Sequence, residues 1–170
     1  MPKDLLFREA DFVFACRAGA VIVRDGKALM QKLQGEEGYA FIGGHVTAGE
    51  AFVSALQREL REELHTDAAI GRMLAMGEVF ILFGKKPCQQ LAPYFAVTLP
   101  EDFTPMDGSF QAMDELEGLR IGVTFEWVPV EKLQGLPVYP PQVMQWVLDL
   151  DRETGHFVYT ELDEGAFGSR

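Results

Sequence analysis

The segment that most constrains the fold is residues 51–64, AFVSALQRELREEL, because its apolar side chains recur at helical spacing. They stand at Phe52, Ala55, Leu56, Leu60 and Leu64. Intervals of three and four residues predict an amphipathic helix that buries one face against a core. Thr47, followed three residues later by Glu50, matches a capping box and predicts that the helix starts here.

The same helix carries three glutamates, Glu59, Glu62 and Glu63, on one side. At about 100° per residue they fall within an arc of about 100°, beside the apolar stripe rather than opposite it. One interpretation is a solvated acidic face, in which Arg58 pairs with Glu62 four residues on. The other is a site for a hard divalent cation, since Mg²⁺ takes oxygen ligands and bridges carboxylates to substrate phosphates. The position beside the buried face favours the cation site.

The residues before the helix support this hypothesis. Gly43 and Gly44 permit a bend that can turn a backbone carbonyl toward the carboxylates. Gly44 is followed after five residues by Glu50 and after seven more by RELREE, residues 58–63. This spacing resembles the Nudix box, G-x5-E-x7-R-E-U-x-E-E-x-G-U, in which U is a bulky aliphatic residue. Every charged position of the box is present.

The resemblance implies a fold, a reaction and a cofactor. The fold would be of the α+β class, a Nudix-type α/β/α sandwich with a central mixed sheet. The reaction would be hydrolysis of the diphosphate linkage in a small nucleotide or nucleotide derivative, with Mg²⁺ or Mn²⁺ as cofactor. The substrate would be a nucleoside di- or triphosphate, or a nucleoside diphosphate linked to another group. Many relatives dimerise, so a homodimer stays open.

The resemblance also assigns roles to individual residues. The metal-binding glutamates of the family correspond to Glu59, Glu62 and Glu63. The carbonyl of Gly43 corresponds to the one that often completes the metal site. We expect Glu62 and Glu63 to be catalytic as well. Glu50 and Arg58 match a pair that usually ties the loop to the helix, which is a structural role.

Three positions of this segment depart from the family pattern. His65 and Thr66 replace the closing glycine and aliphatic residue, and Ile42 stands where many relatives have proline. Glycine lets the chain leave a helix in a left-handed conformation, which histidine adopts only at some cost. All three lie at the ends of loops, so we expect them to alter local geometry rather than the metal ligands.

The box does not fix the general base or the substrate-binding residues. In this family the base is a box glutamate or an acidic residue on a distant loop. The acidic candidates are Glu62, Glu63, Glu78, Asp114, Glu115 and Glu117. Three cations lie on the early strands: Arg17, Arg24 and Lys32. They could contact phosphates or be ordinary surface charges. Aromatic residues that could stack on a base, but also suit a core, are Phe41, Phe83, Tyr94 and Tyr139. The substrate itself stays unknown.

Alternation and turn residues predict the remaining elements. Strands at Phe12 to Val23 and Lys27 to Leu33 are joined by a turn at Asp25-Gly26. A long antiparallel hairpin is expected around Lys85-Lys86-Pro87, and a further strand at IGVTFEWVPV, residues 121–130.

Further along, a second helix begins at the prolines of PPQVMQWVLDLDR, and GHFVYT suggests an edge strand. The acidic residues 101–120 are expected to form a surface loop with little regular structure. We predict one domain over residues 1–170, with 153–170 as its C-terminal extension.

Charge and composition limit the kinds of molecule that the protein can bind. The formal net charge is −11, and the one basic cluster, Lys85-Lys86, is too small to attract a nucleic-acid polymer. No apolar run approaches the roughly 20 residues of a membrane helix. The charged start and the two isolated cysteines, Cys16 and Cys88, suggest a cytoplasmic protein with reduced thiols. A nucleotide-binding module without catalysis is the alternative to an enzyme, although the complete set of box carboxylates favours the enzyme.

Overall fold

A computed structural model describes residues 3–105, 108–116 and 119–168 of the chain. The strands are β1 (Leu6–Arg8), β2 (Val13–Arg24), β3 (Lys27–Leu33), β4 (Tyr39–Ala40), β5 (Ile42–His45), β6 (Ala69–Phe83), β7 (Lys86–Thr98), β8 (Ser109–Leu116), β9 (Leu119–Pro129), β10 (Val138–Tyr139) and β11 (Gly155–Thr160). The helices are α1 (Phe52–Leu64), α2 (Val130–Leu133) and α3 (Met144–Leu148), the last preceded by a 3-10 turn at Pro141–Val143.

The described strands form one mixed sheet. Its main order is β10-β4-β3-β2-β7-β6-β11, while β1 and β5 pair with β2, and β9 pairs with β3 and β8. The pairs β2–β7 and β6–β11 are parallel, whereas β6–β7 and β2–β5 are antiparallel. Strand β2 therefore runs through the centre and carries β5, the strand that leads into α1.

Helices cover both faces of this sheet. On one face, Leu56 and Leu60 of α1 are fully buried in a cluster that includes Phe125. On the other face, α3 contributes Trp146 and Val147 to a second cluster. Burying a large apolar side chain stabilises a fold by about 1.5–3 kcal/mol, so both layers hold the sheet. The predicted α+β sandwich with a central mixed sheet is confirmed.

Several predicted elements are confirmed, and one turn is displaced. Asp25 and Gly26 have φ values of 51° and 74°, as a two-residue hairpin turn requires. In the long hairpin, the register runs to Phe83 opposite Lys86, so Gly84 and Lys85 form the turn. The prediction that Lys86 and Pro87 belong to the turn is wrong, because both extend β7. The expected edge strand is β11, which lies parallel to β6.

The prediction of an irregular acidic loop over residues 101–120 is wrong for Ser109–Leu116 and for residues 119–120, which lie in strands. Strand β8 begins at Ser109 and pairs with β9 from Ser109↔Glu126 to Leu116↔Leu119. Acidic residues lower strand propensity only weakly, and pairing with a neighbouring strand outweighs it. Helix α2, which follows β9 directly, was not foreseen either.

The capping box is also wrong. Helix α1 has Ala51 as its N-cap, with no hydrogen bond from a capping side chain. Thr47 and Glu50 instead close a turn ahead of the helix, in which the Thr47 backbone N–H donates to the Glu50 carboxylate at 3.1 Å. Glu50 is thereby directed at Arg58 rather than at the helix start. Among the described residues, no helix is long and apolar enough to cross a membrane.

Candidate active site

Two glycines, Gly43 and Gly44, form a glycine bend that places β5 against α1. Gly43 has a φ of 153°, and a Cβ there would lie 2.0 Å from the carbonyl oxygen of Ala18. A Cβ on Gly44 would lie 2.1 Å from the carboxyl carbon of Glu59. The backbone of β2 therefore excludes a side chain at Gly43, whereas a side chain at Gly44 would displace the carboxylate of Glu59, a predicted metal ligand.

Arg58 ties the preceding loop to the helix. Its guanidinium donates to both carboxylate oxygens of Glu50, at 3.1 and 3.0 Å, and to the His45 carbonyl oxygen at 3.0 Å. Its Nη1 also donates to Glu59 at 2.7 Å and to Glu62 at 3.4 Å. Such charge-assisted bonds contribute about 1.5–3 kcal/mol when partly buried. The structure thus brings Glu50 and Arg58 together. The guanidinium of Arg58 also offsets the repulsion between Glu59 and Glu62.

Glu59 and Glu50 differ in how well the protein satisfies their charge. Burial raises the pKa of the Glu59 carboxyl, although the hydrogen bond from Arg58 and the positive charges of Arg58 and Arg17 oppose the shift. The hydrogen bond from Arg58 holds the pKa of the Glu50 carboxyl below its ordinary value. Glu59 is therefore a half-buried carboxylate that a further cation would stabilise in its ionised form, whereas the charge of Glu50 is already compensated by Arg58.

A cavity of about 560 Å³ opens beside the C-terminal end of α1. Its wall includes Glu62 and Glu63 from the box and Asp102 from the loop after β7. Phe103 and Phe110 form another part of the wall and pack edge to face, with ring centroids 6.2 Å apart. The cavity therefore combines carboxylates with an apolar side, which suits a ligand that has a charged end and a flat end.

Asp102 is a residue that the sequence analysis missed. It is separated from the box by the whole β6–β7 hairpin, so no spacing relates the two. Arg24 donates to the carbonyl oxygens of Leu99 and Pro100, the latter at 2.9 Å, and this fixes the chain just before Asp102. The one local signal was an acidic pair directly after the proline that ends a long strand.

The donor set of the box fits Mg²⁺ or Mn²⁺ chemically, since all its members offer hard oxygen atoms. Within residues 3–105, 108–116 and 119–168, no three carboxylate, imidazole or thiol groups converge closely enough to hold a metal ion as they stand. Glu59 and Glu62 are directed at Arg58 instead. Gly44 nevertheless leaves the Glu59 carboxylate the room it needs beside β5. The assignment of Gly43, Glu59, Glu62 and Glu63 as ligands stays a prediction.

Of the other candidate bases, the structure describes the side-chain contacts of Glu78 and the strand position of two residues on β8. Glu78 lies on β6, where its carboxylate contacts His156 Nε2 at 2.8 Å. Asp114 and Glu115 lie on β8. Glu117 lies outside the described residues.

The three candidate phosphate-binding cations have different partners. Arg17 donates to the Gly43 carbonyl oxygen at 3.1 Å. Arg24 contacts the loop before Asp102, as described above. Lys32 lies over the ring of Tyr39, with Nζ 5.5 Å from the centroid. Of the three, Arg17 contacts an atom of the predicted metal site.

The four candidate aromatic residues divide into core and surface. Phe41 and Tyr94 are buried and pack edge to face at 5.6 Å, so the core interpretation is confirmed for these two. The Phe83 ring lies under the guanidinium of Arg8, 4.9 Å from the centroid. Tyr139 is 42% exposed and is the one of the four that stands well out of the core.

The departures from the box pattern have the expected local consequences. His65 is the C-cap of α1 with φ 53° and ψ 38°, and its N–H donates to the Arg61 carbonyl oxygen. The left-handed exit is thus made by a histidine, at the cost expected for a side chain with a Cβ. Both His65 and Thr66 line the cavity. Ile42 is fully buried in the cluster under α1.

A family model described as the NUDIX domain matches residues 14–147 of the chain. A solved UDP-X diphosphatase is similar in fold, with a TM-score of 0.56 and 17% identity over 84% of this chain and 66% of its own. For an ADP-ribose pyrophosphatase from Streptococcus suis 89-1591, the TM-score is 0.54 and the identity 13%, over 86% of this chain and 98% of that one. For a Mutator MutT protein from Bacillus halodurans, the TM-score is 0.53 and the identity 16%, over 86% of this chain and 91% of that one. No curated protein matches the sequence significantly.

Proposed function

Because this chain belongs to the Nudix family, we propose that it is a divalent-metal-dependent pyrophosphohydrolase of small nucleotides or nucleotide derivatives. The match covers the box together with most of the sheet and supports the prediction of an enzyme. The finer parts of the proposal are the metal, the substrate class and the residues that act.

The observation that carries the proposal is the cavity beside the box glutamates. Glu62 and Glu63 stand at its wall, and Phe103 and Phe110 form an apolar side. A nucleotide has the matching two parts, an anionic phosphate chain and a flat base. With a net charge of −11, the protein would repel that chain unless a bound cation reversed the local field.

Gly43, Glu59, Glu62 and Glu63 would hold the cation. A bound Mg²⁺ or Mn²⁺ supplies charge neutralisation of the diphosphate and a more acidic water. The chain's own residues do the positioning. Gly44 leaves the Glu59 carboxylate its space beside the glycine bend, and Arg58 fixes the loop against the helix. Binding would require Glu59 and Glu62 to exchange Arg58 for the cation.

For the general base we propose Asp102, with Glu63 as the alternative. Asp102 is exposed and stands at the wall of the same cavity as Glu62 and Glu63, and a general base must lie in the space that holds the attacking water. The Asp102→Asn variant should lose most of its turnover while it still binds Mn²⁺. Turnover at the wild-type level in Asp102→Asn would remove Asp102 from this role.

The second candidate function is a module that binds a nucleotide without cleaving it. The observation in its favour is that Glu59 and Glu62 are directed at Arg58, so that an arginine rather than a metal ion pairs with both carboxylates. The two functions differ in whether any diphosphate is cleaved.

The test is hydrolysis with Mg²⁺ or Mn²⁺ across a panel of nucleotides, sugar nucleotides and dinucleotides, with products identified by mass. The matched control is Glu63→Gln, which keeps the size and hydrogen-bonding capacity of the side chain but removes its charge. Cleavage within a diphosphate that disappears in the variant is the expected result. Tight nucleotide binding with no cleavage of any member would favour the binding module.

A further inference from the structure

Arg17 of β2 lies beside the glycine bend. Its partner in the strand register is His45 of β5, and its Nη2 donates to the Gly43 carbonyl oxygen at 3.1 Å. That oxygen is the backbone atom assigned above to the cation. A carbonyl oxygen has two lone pairs, and the guanidinium takes up one of them.

The contact is not needed to hold β5 in place. β5 already pairs with β2 from Arg17↔His45 to Ala20↔Ile42, so the backbone ladder fixes its position. Arg24 provides the contrast, since it lies on the same strand but holds a loop that has no such ladder. The placement of Arg17 therefore calls for another reason.

Arg17 forms no direct ion pair with a carboxylate among the side chains that the structure describes, although its charge acts on the nearby Glu59 carboxylate. Ion pairs there involve Arg58, Arg61 and His156. The side chain of Arg17 is nevertheless half-buried. Burial raises the pKa of Tyr94, and the charge of Arg17 opposes this rise as it does at Glu59. A half-buried guanidinium that donates to a carbonyl oxygen gains free energy when an anion bonds to it directly.

A divalent cation on the Gly43 carbonyl would repel the Arg17 guanidinium, because two positive groups would then share one carbonyl oxygen. An anion placed between them removes the repulsion, and a diphosphate has non-bridging oxygens for both. The planar guanidinium matches two phosphate oxygens at once, which a lysine ammonium cannot do.

We propose that Arg17 is a substrate-binding residue that takes the diphosphate of the substrate, and that the Gly43 carbonyl holds the guanidinium in place until substrate arrives. This rests on the proposed function for the identity of the anion. No bond is made or broken in this step; Arg17 exchanges a carbonyl acceptor for phosphate oxygens. Its effect is on binding and orientation of the group that the enzyme cleaves.

The test uses Arg17→Met, Arg17→Lys and a control for lost surface charge, Lys132→Met, since Lys132 is exposed on α2. The probe is methylenediphosphonate, a diphosphate analogue that cannot be hydrolysed and has no base. Its binding is measured by calorimetry in excess Mg²⁺. A charge-assisted bidentate contact predicts about ten- to hundredfold weaker binding in Arg17→Met. Arg17→Lys should fall between, and Lys132→Met should bind as the wild type does.

Mn²⁺ affinity without the probe separates this role from a structural one. If Arg17 binds phosphate, Arg17→Met should bind Mn²⁺ at least as tightly as the wild type, because a nearby positive charge has gone. Weaker Mn²⁺ binding with unchanged probe binding would overturn the proposal and would make Arg17 a support for the Gly43 carbonyl. Should Arg17→Met melt early, the same comparison is made with Arg17→Lys.

Failure of the proposal and failure of the hydrolase function give different results. A wild-type protein that binds the probe through Arg17 but cleaves no nucleotide refutes hydrolysis and keeps the role of Arg17. A wild-type protein that cleaves nucleotides, with the same KM in Arg17→Met, refutes the role of Arg17 and keeps the hydrolase. No probe binding by the wild type in Mg²⁺ also refutes the role of Arg17.

Discussion

Replacing Gly44 by alanine separates the shape of the site from the stability of the fold. The added Cβ would lie 2.1–2.4 Å from the three carboxylate atoms of Glu59, whereas an ordinary contact needs about 3.4 Å or more. The Glu59 carboxylate must therefore retreat by more than about 1 Å. A misplacement of this size at a reacting group costs about 10²-fold in rate, and we expect that loss in kcat/KM.

The same variant should fold normally. Gly44 is not among the residues with positive φ, and the group it displaces is the free end of a flexible side chain. The gain in backbone rigidity, about 0.4–1 kcal/mol, offsets part of the lost contact between Glu59 and Arg58. The melting temperature should stay within a few degrees of the wild type.

The assay is steady-state hydrolysis of the best substrate from the panel, with Mn²⁺ affinity and thermal melting measured alongside. Gly135→Ala is the matched control, because a Cβ there meets only the Lys132 carbonyl oxygen, at 3.8 Å. Gly43→Ala is the opposite case, since its Cβ would meet the Ala18 backbone at 2.0 Å and should destabilise the fold. Wild-type turnover and Mn²⁺ affinity in Gly44→Ala would refute the claim that this glycine makes room for a metal ligand.

Three further predictions concern stability. Because burial raises the pKa of Glu59, its ionised form weakens the metal-free fold at neutral pH. Glu59→Gln should therefore melt at a higher temperature than the wild type at pH 7, and should lack the rise in melting temperature that the wild type shows on acidification. A lower melting temperature of Glu59→Gln at pH 7 would contradict this. Because Arg58 lowers the pKa of Glu50, the contribution of Glu50 to the free energy of unfolding is complete above the ordinary carboxyl pKa and is lost as pH falls through the lowered value. In urea unfolding, Glu50→Gln should cost about 1–2 kcal/mol at pH 7 and should reduce the loss of stability at acid pH. An unchanged loss of stability at acid pH would count against the pair. His65 has a φ of 53°, so His65→Gly should stabilise the fold by about 0.5–1 kcal/mol in the same measurement, and destabilisation would show that the histidine side chain holds the helix end.

The box helix and its partner strands could be predicted from the sequence because their signals are local. Alternation over β2 and β3, the Asp25-Gly26 turn and the apolar spacing of α1 each lie within a short window. The β8–β9 hairpin could not be predicted in this way. Its acidic composition resembles that of a loop, and the pairing from Ser109↔Glu126 onward is a property of two segments together.

The candidate site shows the same division. The resemblance to the Nudix box implied that Glu50 and Arg58 meet, and the structure shows this contact between one loop and one helix. It could not predict Asp102, which reaches the cavity through the path of β6 and β7, nor the contact of Arg17 with Gly43, which depends on the register of β2 and β5. The capping box failed because the helix begins after Ala51, so the Thr47–Glu50 pair closes a turn ahead of it, where Glu50 also accepts from Arg58.

The central claim is that the glycine bend and the box glutamates form a site for a divalent cation. The measurement that tests it most directly is titration with Mn²⁺ followed by electron paramagnetic resonance of the free ion, for the wild type and for Glu59→Gln. We predict saturable binding by the wild type that weakens at least about tenfold in the variant, since a buried carboxylate ligand has lost its charge. Equal binding by both proteins, or none by the wild type, would contradict the claim.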